Sequence, residues 1–407
     1  MNIAYFVWEY PPRLVGGLGT YADEITKQFE EMGHELTVFT MNDGGKLPTN
    51  DKRGNSINIH RPVVADASSI IPVFVDEELR RWGDEGLHFF SDVLNYNILS
   101  AHKFVNRVAK ERKFDLIACH DWLSAMGGVI AKYNTGIPLA FHVHSTEYGR
   151  SGGGGSSTLK DLEYFTAKQA NMVVTVSYAM REELQRLNFP AEKIRVMWNG
   201  VDEKKYDMQN MKRDDVRAYR KSLGVGENEK MVLFTGRLTL VKGIDTLVRA
   251  MGKVVAQQKN TKLVVLGRGE MAGELKMIAS QAGIKDSMIM VDKWVDEKER
   301  LMLYAACDVL CAPSRYEPFG IVPLEAMALG KPVVVGVGGM RESVIDGRQG
   351  FYCDPNNSED IADKLLRILK DDKLARQMGR EGRERIEKVF TWKKIANQTI
   401  ELYETVV

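Results

Sequence analysis

A chain of 407 residues and 45.9 kDa exceeds what one hydrophobic core ordinarily fills, so two domains are expected. Apolar residues make up 44% and charged residues 27%, which excludes a largely disordered chain; 56 Lys plus Arg against 55 Asp plus Glu leave a net charge of +1, with no global pull toward nucleic acid or membrane. Cys119, Cys307, Cys311 and Cys353 lack both disulfide-framework density and paired zinc spacing, no signal-peptide pattern opens the chain, and no apolar run nears the ~20 residues that span a bilayer, so a reducing, cytoplasmic setting is expected.

In chain order, short β-branched and aromatic runs at residues 2–7, 36–40, 116–118, 139–143 and 172–176 alternate with amphipathic stretches, the pattern of β-α units feeding a parallel sheet. Residues 20–32 are expected to form a helix with Thr20 as N-cap and Gly33 as a left-handed stop. Before it, Gly16-Gly17-Leu18-Gly19 lets backbone N–H groups approach an anion, although the spacing is not G-x-G-x-x-G, which counts against an NAD-dependent oxidoreductase. The basic segment 102–113 is expected to be a solvated amphipathic helix; membrane contact is the less favoured reading, because aromatic anchors are missing.

His120-Asp121-Trp122 follows another strand, where Asp121 can cap the next helix and Trp122 can pack in the core. His142 and His144 project from one strand face, and His120 would complete a trio of imidazoles; no acidic or cysteine cluster joins them and no Asp-x-Asp triplet occurs, so no metal is expected. The glycines of residues 152–157 form a surface loop or an acceptor-side lid ahead of a helix beginning near Leu159, and without a following Lys-Ser or Lys-Thr they are not a P-loop.

The polar stretch 202–228 reads as a linker with a surface helix, and the pattern then restarts with strands at 231–234, 263–266, 309–311 and 333–335 and helices at 246–257, 297–306 and 323–329. Two α/β domains are therefore expected, residues 1–201 and 202–385. Arg237 and Lys242 follow the first strand of the second domain, at the edge where open α/β sheets bind ligands, and a fork plus a compact cation suit a diphosphate. Glu317-Pro-Phe319-Gly320-Ile321-Val322-Pro-Leu-Glu325 sets two carboxylates around a turn and a helix start near Pro323, where the N–H groups of Ile321 and Val322 would face an anion and Glu325 could accept from ribose hydroxyls.

Taken together, Tyr10-Pro-Pro-Arg-Leu-Val-Gly-Gly-Leu-Gly19, His120-Asp-Trp122, Asn199-Gly-Val-Asp202, Gly236-Arg-Leu with Lys242-Gly243, and the Glu317-to-Glu325 motif resemble the two-domain retaining glycosyltransferases of families 4 and 5, especially compact archaeal glycogen synthases. The resemblance spans nearly the whole chain. It implies two facing Rossmann-like domains of GT-B type around a donor cleft, with the C-terminal segment 386–407 crossing back to the first. It also implies that Gly16, Gly17 and Leu18 lie near the donor, that Arg237 and Lys242 hold its diphosphate, and that Phe319, Gly320, Ile321 and Val322 belong to the same donor site. By the same resemblance Glu325 binds ribose, Glu317 faces the transferred sugar, His144 touches it, and Asp121 and Trp122 border the acceptor. The implied reaction moves glucose from ADP-glucose or UDP-glucose to an α-1,4-glucan without cofactor; transfer of glucose or mannose to a small or lipid acceptor is the neighbouring alternative, and a noncatalytic nucleotide-sugar or glucan sensor the one outside enzymology.

Overall fold

The computed structural model describes residues 1–407 apart from Asp292 and Trp294. Chain packing divides it into two units, Met1–Asn199 with Trp392–Val407, and Gly200–Thr391. The first holds an eight-stranded sheet of β1 (Asn2–Phe6), β2 (Glu35–Phe39), β3 (Asn50–Arg53), β4 (Ile57–His60), β5 (Leu116–His120), β6 (Leu139–Val143), β7 (Met172–Thr175) and β8 (Ile194–Val196), in the order β3-β4-β2-β1-β5-β6-β7-β8. All neighbours run parallel except β3 against β4.

Helices cover both faces, which is why the central strands read as unbroken apolar runs. Along β1 the alternation is direct: Ile3 and Tyr5 pack with Ala22, Ile25 and Phe29 of the Gly17–Glu31 helix and with Trp392, Ile395 and Tyr403 of the Trp392–Glu404 helix, whereas Ala4 and Phe6 pack with Phe104, Ala125 and Ala131 on the other face. The Trp392–Glu404 helix thus completes the first core although it is last in sequence. The preceding Asp372–Val389 helix belongs to the second unit.

The second unit carries β9 (Lys230–Thr235), β10 (Thr261–Leu266), β11 (Met288–Val291), β12 (Val309–Ala312), β13 (Val333–Val335) and β14 (Gly350–Tyr352), all parallel, in the order β11-β10-β9-β12-β13-β14. Strand order reverses between β1 and β5 in one sheet and between β9 and β12 in the other. At such switch points the loops leave in opposite directions and open a crevice at the strands' carboxyl ends. The glycine segment follows β1, His120-Asp121 closes β5, Arg237 and Lys242 follow β9, and Glu317 follows β12.

Three expectations shift. The first helix begins at Gly17, because Gly16 is extended (φ −156, ψ −157) and serves as N-cap, while Thr20 sits in the first turn with its hydroxyl donating to the Gly16 carbonyl at 3.3 Å. Gly33 does take the left-handed conformation (φ 84). Segment 102–113 is no independent helix: it joins the end of Gly83–Lys103, a π turn at Phe104–Val108 that keeps both of those residues buried, and a short Ala109–Glu111 turn. The helix expected near Pro323 begins at Ile321, because Gly320 at φ 84 makes the N-cap turn two residues earlier. No helix among the described residues is long and apolar enough to cross a membrane.

Candidate active site

In the second unit three loops meet at the switch point. Gly243, at φ 66, ends the loop after β9 so close to the chain after β12 that a Cβ there would lie 2.0 Å from the Pro313 carbonyl oxygen. Arg315 fastens the same two loops: its main-chain N–H donates to the Val241 carbonyl at 2.8 Å and its guanidinium grips both oxygens of Asp245, at 2.7 and 3.0 Å. The loop after β13 joins through Gly339, whose N–H donates to the Glu317 carbonyl at 2.9 Å. Lys242 Nζ then meets Glu317 Oε2 at 2.5 Å, so two of the expected site residues touch. Arg237 is exposed and has no side-chain hydrogen bond or ion pair among the described residues.

Glu317 leads into Gly320 and the Ile321–Ala328 helix, whose N-terminus has no side-chain cap. Pro323 has no N–H and Leu324 can bond back to Gly320, which leaves the Ile321 and Val322 N–H groups without a partner among the described residues. Phe319 is turned inward, its ring 6.0 Å from that of Phe390, so only its main chain can serve a donor site. One turn into the helix, Glu325 is only 5% exposed. Each carboxylate oxygen accepts from one phenol, Oε1 from Tyr206 and Oε2 from Tyr304, both at 2.5 Å, and Arg300 lies 3.6 Å from Oε1. A buried carboxylate demands such partners. Burial and the Glu325 charge hold both phenols well above their ordinary range. Sequence reading missed Tyr206, Tyr304, Arg300 and Arg315; Tyr206 lies 119 residues from Glu325 and no local pattern links the two.

The first unit assembles a second group of residues. Glu9 Oε2 accepts from the N–H of Val15 (3.1 Å) and Gly16 (2.9 Å), which fixes the turn into the first helix and occupies the Gly16 amide; no side chain caps that helix beyond it, at Gly17 and Leu18. Four residues on from Gly17, the Tyr21 ring lies 4.6 Å from that of His144, and so ties the glycine segment to the end of β6. Register sets His120 opposite His142 across β5 and β6, with ring centres 4.5 Å apart. His142 Nε2 meets the Tyr403 hydroxyl at 2.6 Å, a contact that anchors the C-terminal helix. Burial drives His120 and His142 well below the ordinary imidazole range, and it lowers His144 as well.

Nitrogens of these three histidines lie within 4.8 Å of one another. His120 Nδ1 and His144 Nε2, however, face each other at 3.0 Å while their ring centres are 5.3 Å apart, so both nitrogens lie close to the line of centres. That is the geometry of a hydrogen bond, whose axis uses both lone-pair directions; a shared ion would require the rings to swing.

Asp121 neither caps the helix it begins nor faces outward. At φ 54, with 5% exposure, its Oδ1 accepts from the main-chain N–H of His144 (2.7 Å) and Ser145 (3.3 Å). Trp122 is packed against Phe90, Phe89 and Trp82, in keeping with its core reading. The glycine loop at 152–157 is pinned at its far end: Asp76 accepts from the Ser156 and Ser157 hydroxyls (3.0 and 2.8 Å) and the Thr158 N–H (3.0 Å), and Ser156 caps the Ser157–Gln169 helix.

Residues 15–205 match the family described as Glycosyltransferase Family 4, and residues 215–385 match the family described as Glycosyl transferases group 1. An uncharacterized glycosyltransferase of Methanocaldococcus jannaschii is 33% identical over 99% of this chain and 98% of its own length, and a glycogen synthase of Mycobacterium tuberculosis is 26% identical over 99% and 94%. Among solved structures, a sucrose-phosphate synthase from Thermosynechococcus elongatus superimposes with a TM-score of 0.78 at 23% identity over 99% of this chain and 98% of that one. An Anabaena protein solved with UDP and glucose gives 0.75 at 22% identity, over 100% of both chains. With switch-point loops bearing the motif residues in each sheet and this likeness over the full length, the chain belongs to the two-domain GT-B glycosyltransferases of the family 4 and group 1 type.

Proposed function

We propose that this glycosyltransferase moves glucose from ADP-glucose or UDP-glucose to an α-1,4-glucan with retention of anomeric configuration. The observation that carries the donor half is the corner where Arg237, exposed and without a side-chain partner among the described residues, shares a loop with Lys242, and Lys242 meets Glu317 ahead of the uncapped Ile321–Ala328 helix. A diphosphate would draw Lys242 from Glu317, take the Arg237 fork and meet the Ile321 and Val322 N–H groups, and Glu325 would read the ribose through the second lone pair on each oxygen. Gly17 and Leu18 amides and His144 serve the sugar, and Glu317, released from Lys242, faces it too.

In the proposed step the bond between the anomeric carbon and the departing phosphate oxygen breaks as the acceptor oxygen bonds to that carbon on the same face. The acceptor's proton passes to the leaving phosphate. Arg237, Lys242 and the helix amides stabilise the charge that grows there, and no protein nucleophile is required. With Trp122 packed in the core and Asp121 accepting from the His144 amide, neither residue speaks for one acceptor over another, and transfer to a small acceptor is the second reading. An activity matrix tests both: ADP-glucose, UDP-glucose and GDP-mannose against maltooligosaccharides, glucose 6-phosphate, fructose 6-phosphate and inositol phosphate. Lengthened maltooligosaccharide is the expected product, and a small glycoside formed without any glucan extension would overturn the glucan assignment.

A further inference from the structure

His120 lies one covalent step from Asp121, and the two neighbours hold His144 by different handles. Asp121 fixes its main chain through the 2.7 Å bond to the His144 N–H, at the cost of a left-handed backbone that non-glycine residues rarely adopt. His120 reaches its ring through the 3.0 Å bond between Nδ1 and His144 Nε2. The holder is itself held: the Ser124 hydroxyl accepts the His120 N–H at 2.6 Å and lies 2.9 Å from the Phe6 carbonyl on β1.

The hydrogen bond contains one proton, and its direction follows from the rest of the His120 ring. His120 Nε2 is buried without a partner among the described residues. Were the neutral ring protonated there, an N–H would be buried unsatisfied, whereas an unshared lone pair at that position is the lesser penalty. Nδ1 therefore carries the His120 proton and donates it, and His144 Nε2 must accept. A neutral His144 that accepts at Nε2 carries its own proton on Nδ1. Burial keeps both rings uncharged near neutral pH.

We propose that His120 is a positioning residue that locks His144 in the Nδ1–H tautomer, so that the ring offers a hydrogen-bond donor, not an acceptor, from Nδ1. The part of this that concerns catalysis rests on the reading of His144 as a sugar-facing residue: a donor at Nδ1 selects a hydroxyl or ring oxygen acting as acceptor. The tautomer itself does not depend on that reading.

The test is long-range ¹H–¹⁵N correlation on protein labelled at its seven histidines, at pH 7.5, with His144 assigned from a His144→Gln sample. The expected spectrum shows His144 protonated at Nδ1 and bare at Nε2. In His120→Leu the pattern should move toward Nε2–H; in His120→Asn, whose side-chain N–H stands near the place of the imidazole donor, it should stay. A wild-type His144 protonated at Nε2, or a tautomer unmoved in His120→Leu, overturns the proposal. If His120→Leu fails to fold, the wild-type spectrum alone decides. Once a donor is known, His120→Leu should lower kcat at least tenfold with donor KM within threefold, and His120→Asn should recover most of the loss. A locked tautomer with unaffected turnover in His144→Gln would remove the sugar-facing reading and leave the lock intact.

Discussion

At the scale of the residue, the informative groups are charges that burial would forbid without partners. Tyr304→Phe removes the donor to Glu325 Oε2 and leaves a nearly buried carboxylate one hydrogen bond short. A loss of about 1–3 kcal/mol is expected in urea unfolding, since bonds to charged groups are the costly ones to delete. If stability is unchanged, the carboxylate is not held as described. Lys242→Met makes a separate prediction: Glu317 loses its cation, and transfer should fall by about 10²-fold or more once a donor is found, as when one electrostatic donor to a developing anion is removed. Unchanged turnover would take Lys242 out of the diphosphate site. The charged members of this site could be read from sequence because Arg, Lys and Glu at fixed offsets from a strand are visible. Their supports could not be read, because Tyr206 and Tyr304 are ordinary core aromatics until the fold delivers them to Glu325.

At the scale of the element, the switch-point loops depend on close backbone approach. Gly243→Ala places a methyl group 2.0 Å from the Pro313 carbonyl at a left-handed φ, so it should destabilise by more than about 1 kcal/mol and weaken nucleotide binding with it. Gly273, in the Ala272–Gln281 helix with nothing within 4 Å of its added Cβ, is the contrast: Gly273→Ala should stabilise by about 0.5–1 kcal/mol. Equal thermal shifts in the two variants would contradict the packing at 243. Strands such as β6 and β13 were legible because a strand covered on both faces is buried along its whole length and so reads as a compact, mostly apolar run. β3, Asn-Asp-Lys-Arg, was not: it is an exposed edge strand with no apolar face to announce it. Helix starts were misplaced at Thr20 and Pro323 because glycine conformation, at Gly16 and Gly320, decides the cap over side-chain preference.

At the scale of the molecule, the histidines give stability a pH dependence whose sign can be worked out. His34, His60, His120, His142 and His144 all have folded-state pKa values that burial holds below the unfolded ~6.5, so the unfolded chain binds more protons in acid and stability is lost as pH falls below about 6.5. Glu163 runs the other way. Burial raises it to about 8 from 4.5, so it favours the folded state at low pH and loses that contribution as pH rises from 4.5 to 8. Five lowered imidazoles outweigh the raised Glu163 carboxyl, so stability should fall steeply below about pH 6.5 and more shallowly above it, with the optimum of urea-unfolding stability between about pH 6.5 and 7. A monotonic rise in stability from pH 5 to pH 8.5 would contradict the burial assigned to these groups.

The proposed reaction depends on a nucleoside diphosphate seated on the loops after β9 and β12, held by Arg237, Lys242 and the amides of Ile321 and Val322. Calorimetric titration of UDP and of ADP into the full chain and into Arg237→Ala tests it most directly. At least one nucleotide should bind the wild type and bind Arg237→Ala about 10- to 100-fold more weakly, the cost of one charged hydrogen-bonding group. Equal affinity in the two proteins, or no binding of either nucleotide to the wild type, would contradict it.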